Sequence, residues 1–235
     1  MNPAIRRLAL IGGADSAAGL AVVVDVLRSG SFLCAAFSKG VDRVIAVDDL
    51  DAARRIAGTL PRSLLSGERG GLSVAGFDLS NSPVELGSKD LDGRTLVHTT
   101  SAGTQGLVRA VRAGAEPVVA GVFLNASAVA RFISDRRAGE ISIVCMGREG
   151  IETGQEDEAF GDYLEEILAG DPTPDPAPHL EKARRSRAAG MFLAGDRPGA
   201  PSEDLEFCLR ADVFDIVPVV TGFLDGCPVL RPWRA

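Results

Sequence analysis

The sequence predicts an α/β fold, a mostly parallel sheet with helices on both faces and a ligand site at the carboxyl ends of the strands. Three observations point there. Short β-branched runs alternate with stretches of helical periodicity along most of the chain. Several of these runs are almost continuously apolar, as strands covered on both faces should be. Polar clusters follow one run after another, where open parallel sheets hold their ligands.

The predicted strands are 20–26, 43–47, 63–66, 94–98, 117–122, 141–146 and 213–220. Between them, Leu107, Val108 and Val111 share one helical face, and Val129, Phe132 and Ile133 share another. Phe160, Tyr163, Leu164, Ile167 and Leu168 make a third stripe. All three read as core-facing. Segment 171–178 carries alternating prolines and is expected to be a stiff loop, followed by a helix over 180–194. The remainder is expected to pack back on the main body, so residues 1–235 are read as a single domain.

A chain of 235 residues can bury a full core without staples. Aromatics are only 5%, so Val, Leu, Ile and Ala must fill it. The net charge of −7 argues against a nucleic-acid partner, which needs a basic face. An anionic small ligand remains allowed, because an Arg cluster or a metal reverses the sign locally. Cys34, Cys145, Cys208 and Cys227 form no C-x-x-C pair and read as reduced thiols of a cytoplasmic protein. Gly12, Gly13, Asp15, Ser16 and Gly19 break up any signal core or membrane span near the N-terminus. No membrane partner is expected, and a homo-oligomer is compatible with the sequence.

Five polar clusters follow predicted strands: Asp25 to Ser29, Gly67 to Gly71, Thr99 to Thr104, Phe123 to Ser127 and Gly147 to Gly150. If those strands are parallel, the clusters converge on one rim. Asp25 ends an apolar run, where a carboxylate needs a partner or a metal; pairing with Arg28 or capping a helix would also satisfy it. Gly67-Glu68-Arg69-Gly70-Gly71 is either an ordinary turn or a display of Glu68 and Arg69. Thr99, Thr100, Gly103 and Thr104 open a helix, as anion donors or as plain caps. Asn125 and Ser127 carry the same ambiguity. Segment 148–171 is strongly acidic. Its Thr153-Gly-Gln-Glu156 reads as a capping box that puts Glu156 and Asp157 in a first helical turn. The alternative is an oxygen-ligand set for Mg²⁺. His98 and His179 are the only histidines, so a multi-His metal site is excluded. His98 ends a strand, at core or rim, and His179 is expected to be exposed. No nucleophile elbow, P-loop or zinc pattern is present. The chemistry must rest on carboxylates, arginines and hydroxyls.

These clusters, in this order, resemble the 2-phosphosulfolactate phosphatase family, whose founding activity belongs to coenzyme M biosynthesis. The matching strings are Val22-Val-Val-Asp-Val-Leu-Arg28, Leu65-Ser-Gly-Glu-Arg-Gly-Gly71, Gly76-Phe-Asp-Leu-Ser-Asn-Ser-Pro83, Thr99-Thr-Ser-Ala-Gly-Thr104, Phe123-Leu-Asn-Ala-Ser127, and Gly147-Arg-Glu-Gly150 with Glu156-Asp157. The resemblance implies an α/β enzyme that hydrolyses a phosphate monoester of a small acid, possessing Mg²⁺ as cofactor. It implies Asp25, Arg28, Glu68 and Arg69 as catalytic groups. Asn81, Ser82, Thr99, Thr100, Gly103, Thr104 and Asn125 are the expected substrate contacts. Asp25, Glu149, Glu156 and Asp157 are the expected metal ligands, with Asp25 as nucleophile or ligand left open. The substrate implied is a phosphorylated, sulfonated acid, 2-phosphosulfolactate. The chain departs from the family pattern at Ser29-Gly30-Ser31, usually Ala-Thr-Thr, and at Ala102, usually Asn. Those departures motivate the alternative, a non-catalytic binder of a phosphorylated metabolite.

Overall fold

The apolar runs become buried strands. A computed structural model describes residues 3–170, 174–195 and 199–234. Among the described residues ten strands form one sheet: β1 (Ala4–Ala9), β2 (Leu20–Val24), β3 (Arg43–Ala46), β4 (Ser63–Arg69), β5 (Leu72–Ser73), β6 (Thr95–Thr99), β7 (Val118–Ala120), β8 (Glu140–Cys145), β9 (Ile216–Leu224) and β10 (Cys227–Arg234). The helices among the described residues are α1 (Leu10–Ala14), α2 (Ser29–Ser38), α3 (Leu50–Thr59), α4 (Gly103–Arg112), α5 (Ala126–Arg136), α6 (Gln155–Leu168), α7 (Ala177–Arg184), α8 (Arg187–Leu193) and α9 (Ser202–Cys208). None is long and apolar enough to cross a membrane.

The strand order is β1-β8-β2-β7-β9-β10-β3-β6-β4-β5. β1, β8, β2 and β7 pair in parallel, and so do β3, β6 and β4. The hairpin β9–β10 sits between these two blocks and pairs antiparallel with both. The α/β class with mostly parallel pairing is therefore as expected, but the five site-bearing strands do not share one direction. The antiparallel junctions β7/β9, β9/β10 and β10/β3 reverse the second block relative to the first. Carboxyl ends from both blocks still meet. Each strand turns by ~20–25° against its neighbour, and five steps separate β2 from β6. Across those steps Ser29, just after β2, places its Oγ 3.4 Å from His98 Nε2 in β6.

α2 fills the space between the blocks. Its sequence has no polar face, and residues Ser29 through Phe37 are all buried, as a helix apolar all round must be. On one side of the sheet α5 and α6 bury Phe132, Phe160 and Leu164, with Phe123 edge-on to Phe160 at 5.4 Å. On the other, α2 and α4 bury Phe32, Leu33, Phe37 and Leu107. The three predicted stripes thus face the core.

Other elements differ from expectation. β1 and β10 read poorly because β1 carries Arg6 and Arg7 and β10 carries Pro228 and Pro232. The helix expected over 180–194 is broken at Ser186, whose Oγ accepts from Ala189 N at 3.0 Å to cap α8. The capping box at 153–156 does not form; Gly154 is the N-cap of α6 and makes no side-chain bond. Of the expected Pro-rich loop, 171–173 lie outside the described residues, and Pro178 falls in the first turn of α7, where proline is tolerated. His179 is mostly covered, its Nε2 3.1 Å from Glu166 Oε2. All four cysteines are unpaired.

Candidate active site

A cleft of ≈ 680 Å³, its open mouth included, lies where β2 and β8 of one block meet β4 and β6 of the other. Asp25 stands on its floor, nearly buried. Its Oδ1 accepts from Ser29 N at 3.2 Å, and the Gly103 backbone N–H also bonds this carboxylate. The first turns of α2 and α4 thus both address Asp25, an arrangement that favours negative charge. Burial outweighs them. Together with repulsion from Glu68 and Glu156, it pushes the Asp25 carboxyl up to about 7. Gly103 is required here, because a Cβ would fall 2.7 Å from Asp25 Oδ2 and 2.6 Å from Ser29 Oγ.

Glu68 and Arg69 part company. β4 runs through Arg69 and turns at Gly70-Gly71, both at positive φ, into the short return strand β5. Consecutive strand residues point to opposite faces. Glu68 therefore lines the cleft, accepting from Ser101 N at 2.6 Å and Gly71 N at 2.6 Å. Arg69 turns away, donating to Thr99 Oγ1 at 2.7 Å and to the carbonyl oxygens of Glu68 and Asp48.

The α6 acids divide in the same way. Asp157 accepts from Val26 N at 2.8 Å and Gly147 N at 2.7 Å, tying the ends of β2 and β8 together. Burial, then Glu156 and Asp25, raises its pKa well above the ordinary value. Glu156 lines the cleft; burial raises its pKa, and its Oε2 is a buried oxygen with no hydrogen-bond partner. Asn81 Oδ1, also on the cleft wall, is a second such oxygen. Glu149 stands at the mouth, 3.6 Å from the Arg148 guanidinium.

Two arginines border these acids. Arg148 comes from the loop after β8. Arg28, 5% exposed, donates from Nη1 to Asp204 Oδ2 and to Gly199 O, each at 2.6 Å, and lies over the Phe192 ring. Ala188, Met191, Phe192 and Ala200 complete an apolar wall.

Of the residues expected at the site, Asp25, Arg28, Glu68, Asn81, Glu149 and Glu156 line the cleft, whereas Arg69, Ser82, Thr99, Thr100, Gly103, Thr104, Asn125 and Asp157 do not. Thr100 and Thr104 satisfy each other at the start of α4: Thr100 N donates to Thr104 Oγ1 at 2.8 Å, and Thr104 N to Thr100 Oγ1 at 3.0 Å. Thr99 holds Arg69. Asn125 accepts from Val122 N and donates to the carbonyls of Ala120 and Ile216, pinning β7 to β9. Ser82 donates to Asp204 Oδ1 at 2.7 Å. His98 is a core residue, stacked on Phe32 and held at a pKa of about 3 by burial.

A family model described as 2-phosphosulpholactate phosphatase matches residues 9–222. The chain belongs to the 2-phosphosulpholactate phosphatase family. A probable 2-phosphosulfolactate phosphatase of Caldanaerobacter subterraneus subsp. tengcongensis is 34% identical over 209 residues, 84% of this chain and 86% of that protein. One of Deinococcus radiodurans is 35% identical over 214 residues, 86% and 87% of the two chains. One of Bacillus subtilis is 28% identical, over 85% and 86%. The phosphatase-family departure at Ser29-Gly30-Ser31 lies behind the cleft wall: Ser31 Oγ donates to Val26 O, and a Cβ on Gly30 would meet Val122 at 2.6 Å. Ala102, the other departure from the family pattern, does line the cleft. Asp204 and the α8 wall belong to none of the family motifs, and the sequence led only to the expectation that this segment packs back on the main body.

Proposed function

We propose that this chain hydrolyses the phosphate monoester of a small acid, 2-phosphosulfolactate, to sulfolactate and phosphate, with Mg²⁺ as cofactor. The carrying observation is one cleft in which two arginines face carboxylates and in which Glu156 Oε2 and Asn81 Oδ1 have no partner. The family membership and the names of its relatives support the same reaction class.

Among the described residues, no three carboxylate, imidazole or thiol groups gather as a complete metal cage. The donor set nonetheless fits Mg²⁺, which takes one or two carboxylates and completes its shell with water and substrate. Asp25 and Glu156, with Asn81 Oδ1, would hold it; the two orphaned oxygens are what such an ion would satisfy. When bound, Mg²⁺ would stabilise charge on the transferring phosphoryl group. Arg28 and Arg148 neutralise the phosphoryl oxygens and the second acidic group of the substrate. Glu68, saturated by Ser101 and Gly71, fixes the β4 hairpin against the loop after β6. The apolar wall of α8 excludes water from one side of the cleft. Asp157 is left out of this ligand set, since it does not line the cleft and ties β2 to β8 through the amides of Val26 and Gly147.

The binder alternative rests on the departures at Ser29-Gly30-Ser31 and Ala102; the buried carboxylates Asp25 and Glu156 retained on the cleft support the hydrolase. The unpaired thiols support a reducing compartment, the cytoplasm, and the pathway we assign is coenzyme M biosynthesis. Phosphate release from 2-phosphosulfolactate, phospholactate and phosphoglycolate tests the reading, with Mg²⁺ and with EDTA. Mg²⁺-dependent release is expected. Ligand binding without turnover would select the binder, and no response to any of the three would refute both.

A further inference from the structure

We infer that Asp204 is the positioning residue of the anion site, holding Arg28 and the Asn81–Ser82 segment in register from outside the cleft. The inference rests on the phosphatase reading above. Asp204 is fully buried on α9. Its Oδ2 accepts from Arg28 Nη1 at 2.6 Å. Its Oδ1 accepts from Ser82 Oγ at 2.7 Å and from Val84 N at 3.2 Å. One carboxylate thus joins the segment after β2, the loop before β6 and a C-terminal helix.

The geometry sets what Arg28 can do. Asp204 and Gly199 O both take Nη1, and the Phe192 ring lies 5.3 Å below the guanidinium carbon. A planar fork fixed at one nitrogen and over one face has its orientation set, leaving its other edge for a phosphate or sulfonate. Ser82 is bonded to the same carboxylate, and its neighbour Asn81 presents the orphaned Oδ1 to the cleft. Docking of α9 alone does not account for the pair. A buried ion pair is weak as a source of stability, and an apolar contact of similar volume would serve as well. A charge retained at the edge of an anion site serves the Arg it holds.

The test compares Asp204→Asn and Ser82→Ala with wild type, reading Tm, kcat, KM for the phosphorylated acid, and Kd for inorganic phosphate by calorimetry. In Asp204→Asn, KM and Kd are expected to rise together by about tenfold, with kcat within about threefold, as loss of one charged hydrogen bond implies. Ser82→Ala keeps the ion pair, so it should fold even if Asp204→Asn does not; about a threefold rise in the same two constants is expected. A purely structural role would lower Tm and leave both constants alone. Wild-type KM and Kd in Ser82→Ala and in any folded Asp204→Asn would overturn the inference while leaving the cleft reading intact. Failure of the wild type to bind either inorganic phosphate or the phosphorylated acid would overturn the cleft reading, and this inference with it.

Discussion

Asp25→Asn removes a charge from the cleft floor while keeping its shape. Burial, then Glu68 and Glu156, raises the Asp25 carboxyl from an ordinary value of 3.8 to about 7. Between those values the folded protein holds a proton that the unfolded chain has released. The favourable contribution is therefore complete below pH ~4 and is lost as pH rises toward 7. A separation of about three pH units corresponds to on the order of 4 kcal/mol across that window. Glu156 and Asp157 are raised as well, Asp157 in part by the charges of Glu156 and Asp25, so the three titrate together and ~2–4 kcal/mol is the expected range. Asparagine carries no charge to bury. Its amide nitrogen, however, opposes one of the two N–H groups, of Ser29 and Gly103, that bond the carboxylate, at a cost of about 1 kcal/mol.

Metal-free Asp25→Asn should then be slightly less stable than wild type near pH 4.5 and more stable at pH 8. At about 2–4 °C per kcal/mol for a chain of this size, the difference in Tm should swing by roughly 5–15 °C. Thermal melts in EDTA from pH 4.5 to 8 measure it. A Tm difference that stays constant across that range would show that Asp25 ionises normally, and the burial argument would fall. Turnover should drop by ~10³-fold, the scale set by deleting a principal electrostatic group. Added Mg²⁺ at pH 8 should raise the Tm of wild type more than that of the variant.

Arg69→Lys should leave KM within about twofold and cost about 1 kcal/mol of stability, because its bonds to Thr99, Asp48 and Glu68 lie outside the cleft; a tenfold rise in KM would put Arg69 back in the anion site. Gly103→Ala should destabilise by about 1–3 kcal/mol and displace Asp25, given the 2.5–2.7 Å approach of a Cβ to Ser29 and Asp25; wild-type Tm and turnover would contradict this. Asn125→Ala should lower stability by about 2–4 kcal/mol with KM unchanged, since three backbone groups lose their partner, as denaturant melts would show. Native alkylation should label Cys227 before the buried Cys34, Cys145 and Cys208 and leave activity within a few fold; mass spectrometry alongside the phosphate-release assay decides it.

The fold was legible where strands are covered on both faces. β2, β3 and β8 announce themselves as apolar runs because helices lie above and below them. α2 lacks the contrast on which helical periodicity depends, since neither side of it meets water. β10 was hidden by its prolines, and its place in the middle of the sheet is set by pairing with β9 and with β3, far away in sequence. That insertion also reverses the second block. A one-rim argument based on parallel strands thus reached the convergence of Asp25, Glu68 and Arg148 by an incorrect route. Strand direction is a non-local property, while the tendency of polar clusters to follow strands is local.

The candidate site was legible in its residue types and illegible in their directions. Glu68 and Arg69 are neighbours, and a loop would have offered both to the cleft; the strand alternation that separates them is signalled only by the Gly70-Gly71 turn and the return strand behind it. Glu156 and Asp157 are neighbours on a helix, about 100° apart, which sends one to the cleft and the other to the amides of Val26 and Gly147. Asp157 lies off the cleft with both oxygens on amides and acts as a clip, whereas Glu156 keeps one oxygen without a partner on the cleft wall, though composition and position along the chain treat them alike. Asp204 escapes sequence reading for the opposite reason: its partners Ser82 and Arg28 lie 122 and 176 residues away, and nothing near Asp204 in the chain distinguishes it from an ordinary acid in the first turn of a helix. Where the cleft's chemistry depends on orientation, the orienting groups come from segments that carry no motif of their own.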